Sequence, residues 1–265
     1  MIEQNTFTTD NQSIQFCSLG SGSKGNATLL AFDQSLLLID CGFSIKETIR
    51  RLDLKGISPL QISAILVTHE HSDHIAGVSG FSNKFSIPVW LNKGTSLHKK
   101  CISIKSKRLF NSHQAFQLGD FLVMPVAVPH DSREATQFIF SVGDQSVGLL
   151  TDVGHITSHI IDTYSLCDAL LLEFNYELAM LLEGTYPFAL KQRVSGDLGH
   201  LSNQQAIDML SRMDLSKISK IVAMHLSEEN NNRALVEEKL STIISSGPTS
   251  FYLANQAEGV GWLSL

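Results

Sequence analysis

His69, His71, Asp73 and His74 offer four metal ligands within six residues of the segment Val67-Thr68-His69-Glu70-His71-Ser72-Asp73-His74. Imidazole nitrogen and carboxylate oxygen suit borderline divalent ions such as zinc, and also manganese or iron. In a near-extended segment His69 and His71, two positions apart, can point the same way onto one ion. Asp73 and His74, one step further, can address a second ion a few ångströms away. Two ions that close activate a water between them and clamp both sides of an in-line displacement. A solvated surface explains H-x-H-x-D-H poorly when the motif stands at the mouth of an apolar run.

Ligands must be carried by rigid elements, and the rest of the chain supplies candidates. Strand-like stretches occupy 14–19, 27–32, 36–39, 62–67, 121–128, 137–142, 146–150, 169–172 and 220–224, and helix-like stretches 44–52, 95–101, 203–213 and 228–243. Ser202 or Asn203 is a plausible N-cap for the third helix, where Ala206, Ile207 and Leu210 form an apolar stripe. This alternation gives a mixed α/β or α+β layered domain. The motif follows the run 62–67, and three further ligand types also stand just beyond a strand: His130 after 121–128, Asp152 after 146–150 and His225 after 220–224. Each alone could cap a strand; together they read as one site. Asp40, ending 36–39, is better suited to hold a ligand histidine through its outer nitrogen than to bind metal.

Composition narrows the classes. The 265 residues carry 20 Lys+Arg and 26 Asp+Glu, a formal net charge of −6, which excludes an overall basic nucleic-acid coat but not a local basic patch. No apolar run approaches the ~20 residues of a membrane helix, and the polar start has no signal-peptide pattern. Cys17, Cys41, Cys101 and Cys167 form no CxxC pair, so reduced thiols in a cytoplasmic protein are expected. No linker, repeat or low-complexity tract interrupts the chain, and one domain over 1–265 is expected.

Gly20, Gly22 and Gly25 satisfy G-x-G-x-x-G after a strand, but the loop leads into the β-patterned run 27–32 rather than a helix. A dinucleotide site is therefore excluded. A Walker loop fails too, because Gly25 follows Lys24 where Ser or Thr is required. Two readings stay open: a tight turn between strands, or a loop whose amides, with Ser23 and Asn26, line an anion site.

The order His69-x-His71-x-Asp73-His74, His130, Asp152, His225 resembles the motif set of the metallo-β-lactamase superfamily. The resemblance implies an α/β (α+β) chain folded as an αββα four-layer sandwich, with two divalent metal ions per chain at one edge of the sheets. Carried over, one ion takes His69, His71 and His130, the other Asp73, His74 and His225, and Asp152 bridges them. Zinc, manganese and iron all remain open as the metal.

The finer likeness is to the YycJ/WalJ-like subfamily of metal-dependent DNA exonucleases, and it runs over nearly the whole chain. It rests on the loop 20–26, on Leu172-Glu173-Phe174-Asn175, on Tyr186-Pro187 with Leu190-Lys191, on Gly199-His200-Leu201-Ser202-Asn203 and on Met224-His225-Leu226-Ser227. One departure stands out. The subfamily places His-Asp after the asparagine, whereas this chain has Tyr176-Glu177, so any role of that histidine is not carried over. Glu173 and His200 also echo the acid–orienter pair of tRNase Z, although only twenty residues separate Asp152 from Glu173, too few for that family's long tRNA-holding arm. The resemblance thus assigns Asp73, Glu173 and His200 to catalysis.

An anionic substrate is compatible with the negative net charge, because two divalent ions leave the site about +1 by formal count. Lys93, Lys99, Lys100, Lys105, Lys107 and Arg108 concentrate six of the 20 basic residues in one stretch that could track a phosphate backbone. Lys191 and Arg193, just ahead of His200, are placed to meet phosphate. Nucleic acid, DNA before RNA, is the expected substrate; a homodimer is an open expectation, and no membrane partner is expected. A small-molecule cyclic phosphodiesterase, a tRNA-processing ribonuclease, and a thioesterase or lactamase are the alternatives. His98, His113, His155 and His159 lack comparable context, although the last two would share a face at i, i+4 if helical.

Overall fold

The computed structural model describes residues 12–244 and 248–265. Residues 1–11, which hold the polar start, lie outside the described residues. Fourteen strands among the described residues form two seven-stranded sheets. The first contains β1 (Gln15–Gly20), β2 (Ala27–Phe32), β3 (Ser35–Ile39), β4 (Ala64–Leu66), β5 (Val89–Leu91) and β6 (Lys107–Leu109). The second contains β7 (Phe116–Leu118), β8 (Phe121–Ala127), β9 (Thr136–Val142), β10 (Gln145–Leu150), β11 (Ala169–Glu173), β12 (Lys220–Met224) and β13 (Ser250–Leu253). The last strand, β14 (Val260–Ser264), returns to the first sheet beside β1.

The helices are α1 (Ile45–Leu54), α2 (Ser72–Ile75), α3 (Val78–Phe85), α4 (Lys93–Ser96), α5 (Ser158–Tyr164), α6 (Leu178–Glu183), α7 (Phe188–Val194), α8 (Asn203–Ser211) and α9 (Arg233–Ile243). Among the described residues no helix is long and apolar enough to cross a membrane. The four cysteines are buried and unpaired.

Successive side chains of a strand point to opposite faces, so a strand buried on both faces must be apolar at every position. That explains the continuous runs Leu36–Leu38 and Ala169–Leu172. Leu37 and Ile39 join Ala169 and Leu171 in a core between the sheets, with Phe121, Phe138 and Phe140. Leu36 and Leu38 face the other way, into a cluster with Leu52 of α1 and Phe81 of α3. Leu170 and Leu172 face a third cluster with Ile160 and Tyr164 of α5, Leu210 of α8 and Leu240 of α9. Three cores between helix, sheet, sheet and helix make the αββα sandwich.

Strand directions decide where the chemistry gathers. β3 and β4 are parallel, as are β10, β11, β12 and β13. β8 pairs antiparallel with β9, and β9 with β10, so β8 runs in the same sense as β10. The segments that leave β3, β4, β8, β10 and β12 emerge at sheet ends, where Asp40, His69, His130, Asp152 and His225 follow in turn.

Several elements depart from the sequence reading. The stretch 95–101 is not one helix: Asn92 caps α4, which ends at Ser96, and His98 caps a separate short turn at Lys99–Cys101. α9 begins at Arg233 rather than at 228, because the Asn232 side chain accepts the Ala234 N–H and starts the helix there. Thr157 caps α5, which leaves His155 outside the helix that contains His159, so the two do not share a helical face. Helices α3, α5, α6 and α7 were not anticipated; all are eight residues or shorter, too brief for a clear 3.6-residue period.

Gly42 shows how closely the ligand loop is held. Its N–H donates to the Asn26 carbonyl, and a Cβ there would lie 1.7 Å from the Asp73 carbonyl oxygen and 2.8 Å from the Asn26 nitrogen. Backbone on both sides has no room to yield. Gly42→Ala is expected to destabilise the fold by about 3 kcal/mol or more and to lower metal uptake, read by urea unfolding and elemental analysis. Gly261→Ala, where nothing lies within 4 Å, is the control and should change neither.

Candidate metal centre

Each ligand-type side chain is aimed by the turn that ends its strand. Asp40, Asp152 and His225 have φ of 61°, 54° and 56°, three of five positive values at non-glycine residues among the described residues. Left-handed backbone costs a non-glycine residue on the order of 1 kcal/mol, and such strain concentrates at functional positions. Here it reverses the chain at once and turns the side chain across the sheet edge. The His225 N–H is satisfied by Ser21 Oγ at 2.8 Å. The motif itself folds as a non-helical His69–His71 stretch followed by α2, with His71 at the N-cap position and Asp73 and His74 in the single turn.

The rings gather in two groups. His69, His71 and His130 have ring centroids 4.6, 4.9 and 5.0 Å apart, and His71 Nδ1 lies 3.1 Å from His130 Nε2. Asp73, His74, Asp152 and His225 form the second group. His74 Nε2 is 3.3 Å from Asp152 Oδ2 and 3.4 Å from Asp73 Oδ2, and His225 Nε2 is 3.5 Å from Asp73 Oδ2. Within each group the donor atoms lie within 4.8 Å of one another. His69 Nε2, Asp152 Oδ2 and His225 Nε2 are buried and have no hydrogen-bond partner. Buried polar atoms are normally satisfied, so three orphans that converge on one place fit divalent cations.

The outer nitrogens strengthen that fit. His69 Nδ1 is 3.0 Å from Thr68 Oγ1, whose hydroxyl donates to Asp40 Oδ2. His71 Nε2 lies 3.2 Å from the Asp131 carbonyl oxygen. His74 Nδ1 is 2.7 Å from Asp40 Oδ2, His130 Nδ1 is 2.9 Å from the Gly199 carbonyl and His225 Nδ1 is 3.1 Å from Glu173 Oε1. Every one of the five rings thus turns one nitrogen inward and rests the other on an oxygen. This is how protein metal sites fix tautomer and ring orientation.

Electrostatics follow from the crowding. Burial lowers the His69 imidazole well below its ordinary value, and the neighbouring His74 adds to the effect. Burial acts the same way on His74, but Asp152, Asp73 and Asp40 more than offset it and hold that ring well above normal. His225, likewise penalised by burial, is pushed up to about 10 by Asp152, the nearby Asp73 carboxylate and the hydrogen bond with Glu173. Asp73 and Asp152 resist burial and stay well below the carboxylate range because imidazoles surround them. The carboxylates thus draw positive charge into the pocket, a place that metal ions can take over.

Glu173 ends β11, and the β11–β12 register pairs it with Met224, which places it beside the next residue, His225. It is fully buried, and its Oε1 also accepts from His200 Nδ1 at 2.7 Å. Oε2 accepts the Val153 and Leu201 N–H groups. Burial would raise this carboxyl; His200 and the two histidine hydrogen bonds hold it down at about 2. One carboxylate therefore joins His200 to a ligand-type histidine.

The remaining sequence candidates distribute unevenly. The loop 20–26 is a tight turn that buttresses the site: Asn26 Nδ2 lies 3.2 Å from both Asp73 Oδ2 and His74 Nε2, while Ser23 stays exposed at the tip. Arg193 is at the rim, its guanidinium on Asp131. Lys191 is turned away onto the Leu182 carbonyl. Tyr176 is buried and pairs through its backbone with Ser202, and burial pushes its phenol up to about 12. Sequence reasoning passed over Thr68, Asp131 and Asn175. Asn175 Nδ2 donates to the His225 carbonyl at 2.9 Å. Only Asp131, next to His130, carried a usable signal.

Comparison with known proteins bears on family and fold. The family described as Beta-lactamase superfamily domain matches residues 36–226. Exodeoxyribonuclease WalJ of Streptococcus pneumoniae serotype 2 (strain D39 / NCTC 7466) is 33% identical over 227 residues, 83% of this chain and 84% of that protein. Exodeoxyribonuclease YycJ of Bacillus anthracis is 30% identical over 235 residues, 87% of this chain and 89% of the relative. The crystal structure of Zn(2+)-bound PqqB from Methylobacterium extorquens superposes with a TM-score of 0.74 at 15% identity, over 95% of this chain and all (100%) of that one, a likeness of fold.

Asp40 touches both His74 and, through Thr68, the His69 ring. Asp40→Asn keeps the shape and tolerates the left-handed backbone but removes the charge behind His74. Its metal affinity, measured by competition with a chromophoric chelator, should fall on the order of ten- to a hundredfold with little change in unfolding midpoint.

Proposed function

The chain belongs to the beta-lactamase superfamily, and from that premise we propose that it is a nuclease that shortens DNA from an end with the help of two divalent ions, zinc or manganese. The observation that carries this reading is the Glu173–His200 pair set directly beside the clustered ligands. The similarity to two proteins named exodeoxyribonucleases over most of their length supports the choice of substrate.

His69, His71 and His130 would hold one ion, Asp73, His74 and His225 the other, with Asp152 between them. Bound there, the ions would supply Lewis-acid polarisation of a phosphodiester and offset charge that develops on it. The protein's own groups supply the rest. Glu173, kept ionised by its histidine partners, fixes His200 through Nδ1 and leaves Nε2 for a phosphate oxygen or for the departing oxygen. The His200 side chain is 18% exposed against 0% for Glu173, which suits one group that meets substrate and one that orients it.

The basic stretch supports a polyanionic substrate. α4, where it begins, lies against the ligand loop: Thr95 Oγ1 is 3.4 Å from Glu70 Oε2, between His69 and His71 in sequence. Lys99, Lys100, Lys105 and Arg108 are exposed, and none of the six cations of the stretch pairs with a carboxylate among the described residues.

Three measurements test the reading. On end-labelled duplex DNA with manganese or zinc, the wild-type chain should release label as mononucleotides, and Asp73→Asn and His130→Ala should lose activity together with metal. Internal cuts at the outset, or full metal and full activity in either variant, contradict it. His200→Ala should lower kcat by about 10²–10⁴-fold with metal content retained. Changing Lys99, Lys100, Lys105 and Lys107 to Gln should cut DNA hydrolysis at least about tenfold and flatten its salt dependence, yet spare hydrolysis of bis(4-nitrophenyl) phosphate. Equal loss on both substrates favours a small-molecule phosphodiesterase instead.

A further inference from the structure

Arg193 was expected to meet substrate phosphate, yet its guanidinium is already committed. Its Nε lies 2.6 Å from Asp131 Oδ2 and its terminal nitrogen 3.2 Å from Oδ1, a two-pronged clamp that fixes the plane of the carboxylate. Asp131 in turn faces His71. The outer nitrogen of that ring, Nε2, is 3.2 Å from the Asp131 carbonyl and 3.6 Å from Oδ1, while Nδ1 points inward to His130. Oδ1 is also 3.6 Å from His130 Nε2, so the carboxylate stands at the rim of the first imidazole group without belonging to it.

We propose that Asp131 is a positioning residue for His71 and that Arg193 acts through it, coupling α7 to the metal-facing nitrogen of His71. This rests on the reading of the imidazole group as a metal site. The other four rings have fully or largely buried outer partners: Thr68, Asp40, Glu173 and a backbone carbonyl. His71 alone rests on a residue at the rim: its acceptor is the Asp131 carbonyl at 3.2 Å, with the Asp131 carboxylate beside it at 3.6 Å, and the two side chains are 25% and 30% exposed. Water competes for such an acceptor, and a guanidinium that clamps the Asp131 carboxylate holds the residue, and with it the carbonyl, in place. The segment between them is tied down as well: the Asp131 N–H donates to the Leu198 carbonyl, and the His200 N–H to the Val194 carbonyl at the end of α7. Movement of α7 would reach His71 and His200 together.

The test uses the full chain. Long-range 1H–15N correlation of metal-free protein reads the tautomer of His71 directly. Wild type should carry the proton on Nε2, and Asp131→Ala and Arg193→Ala should both shift the ring toward a tautomer mixture. Zinc affinity by chelator competition should weaken about tenfold or more in each variant, with Arg193→Lys intermediate and the double variant no weaker than Asp131→Ala alone. Unchanged tautomer and zinc affinity in Arg193→Ala, with only KM for DNA raised, would overturn the proposal and make Arg193 a phosphate contact. Absence of zinc uptake by wild type would instead overturn the metal reading, while the tautomer result still decides the link from Arg193 to His71.

Discussion

Five imidazoles and two carboxylates packed at a sheet edge carry a heavy desolvation cost unless each polar atom has a partner. The outer nitrogens find theirs within the protein: Asp40, Thr68, Asp131, Glu173 and the Gly199 carbonyl. The inner ones face each other, and three buried donor atoms are left with none. This division of each ring into an outward donor and an inward lone pair is the constraint that orders the rest. It accounts for a buried acid at the end of β3, a buried acid at the end of β11, and strained backbone at Asp40, Asp152 and His225.

The sandwich makes that arrangement possible. Strands buried on both faces are stiff, and their parallel register brings residues remote in sequence to one edge: Glu173 opposite Met224, and Leu38 opposite Ile65. The glycine turn at 20–26 then links the edges of the two sheets, because Ser21 accepts from the His225 N–H while Asn26 donates to Asp73. A motif that imitates a nucleotide loop in sequence acts as a brace between ligand-type residues that the two sheets bring to the second group.

How much of this was legible in the sequence depended on density and context. H-x-H-x-D-H declares itself because four donors fall within six residues after an apolar run, and His130, Asp152 and His225 repeat that strand-end context. Strands β2 and β12 have the bounds that their apolar runs suggested, since a turn residue or charge closes each end. Short helices escaped notice, and the stretch 95–101 broke in two because Asn92 and His98 each cap a turn. Thr68 was illegible for another reason: its importance lies in what a hydroxyl touches, and a one-letter pattern does not encode that. The same limit explains Arg193, whose position near His200 suggested phosphate while its geometry points to Asp131.

The central claim is that the cluster is a paired metal site held by this division of ring nitrogens. Crystals grown with zinc, or with manganese, and measured across the metal's absorption edge test it most directly. Two anomalous peaks per chain are predicted, one among His69, His71 and His130 and the other among Asp73, His74 and His225, with Asp152 between them. A single peak, a peak displaced from these residues, or none in metal-saturated crystals would contradict the account.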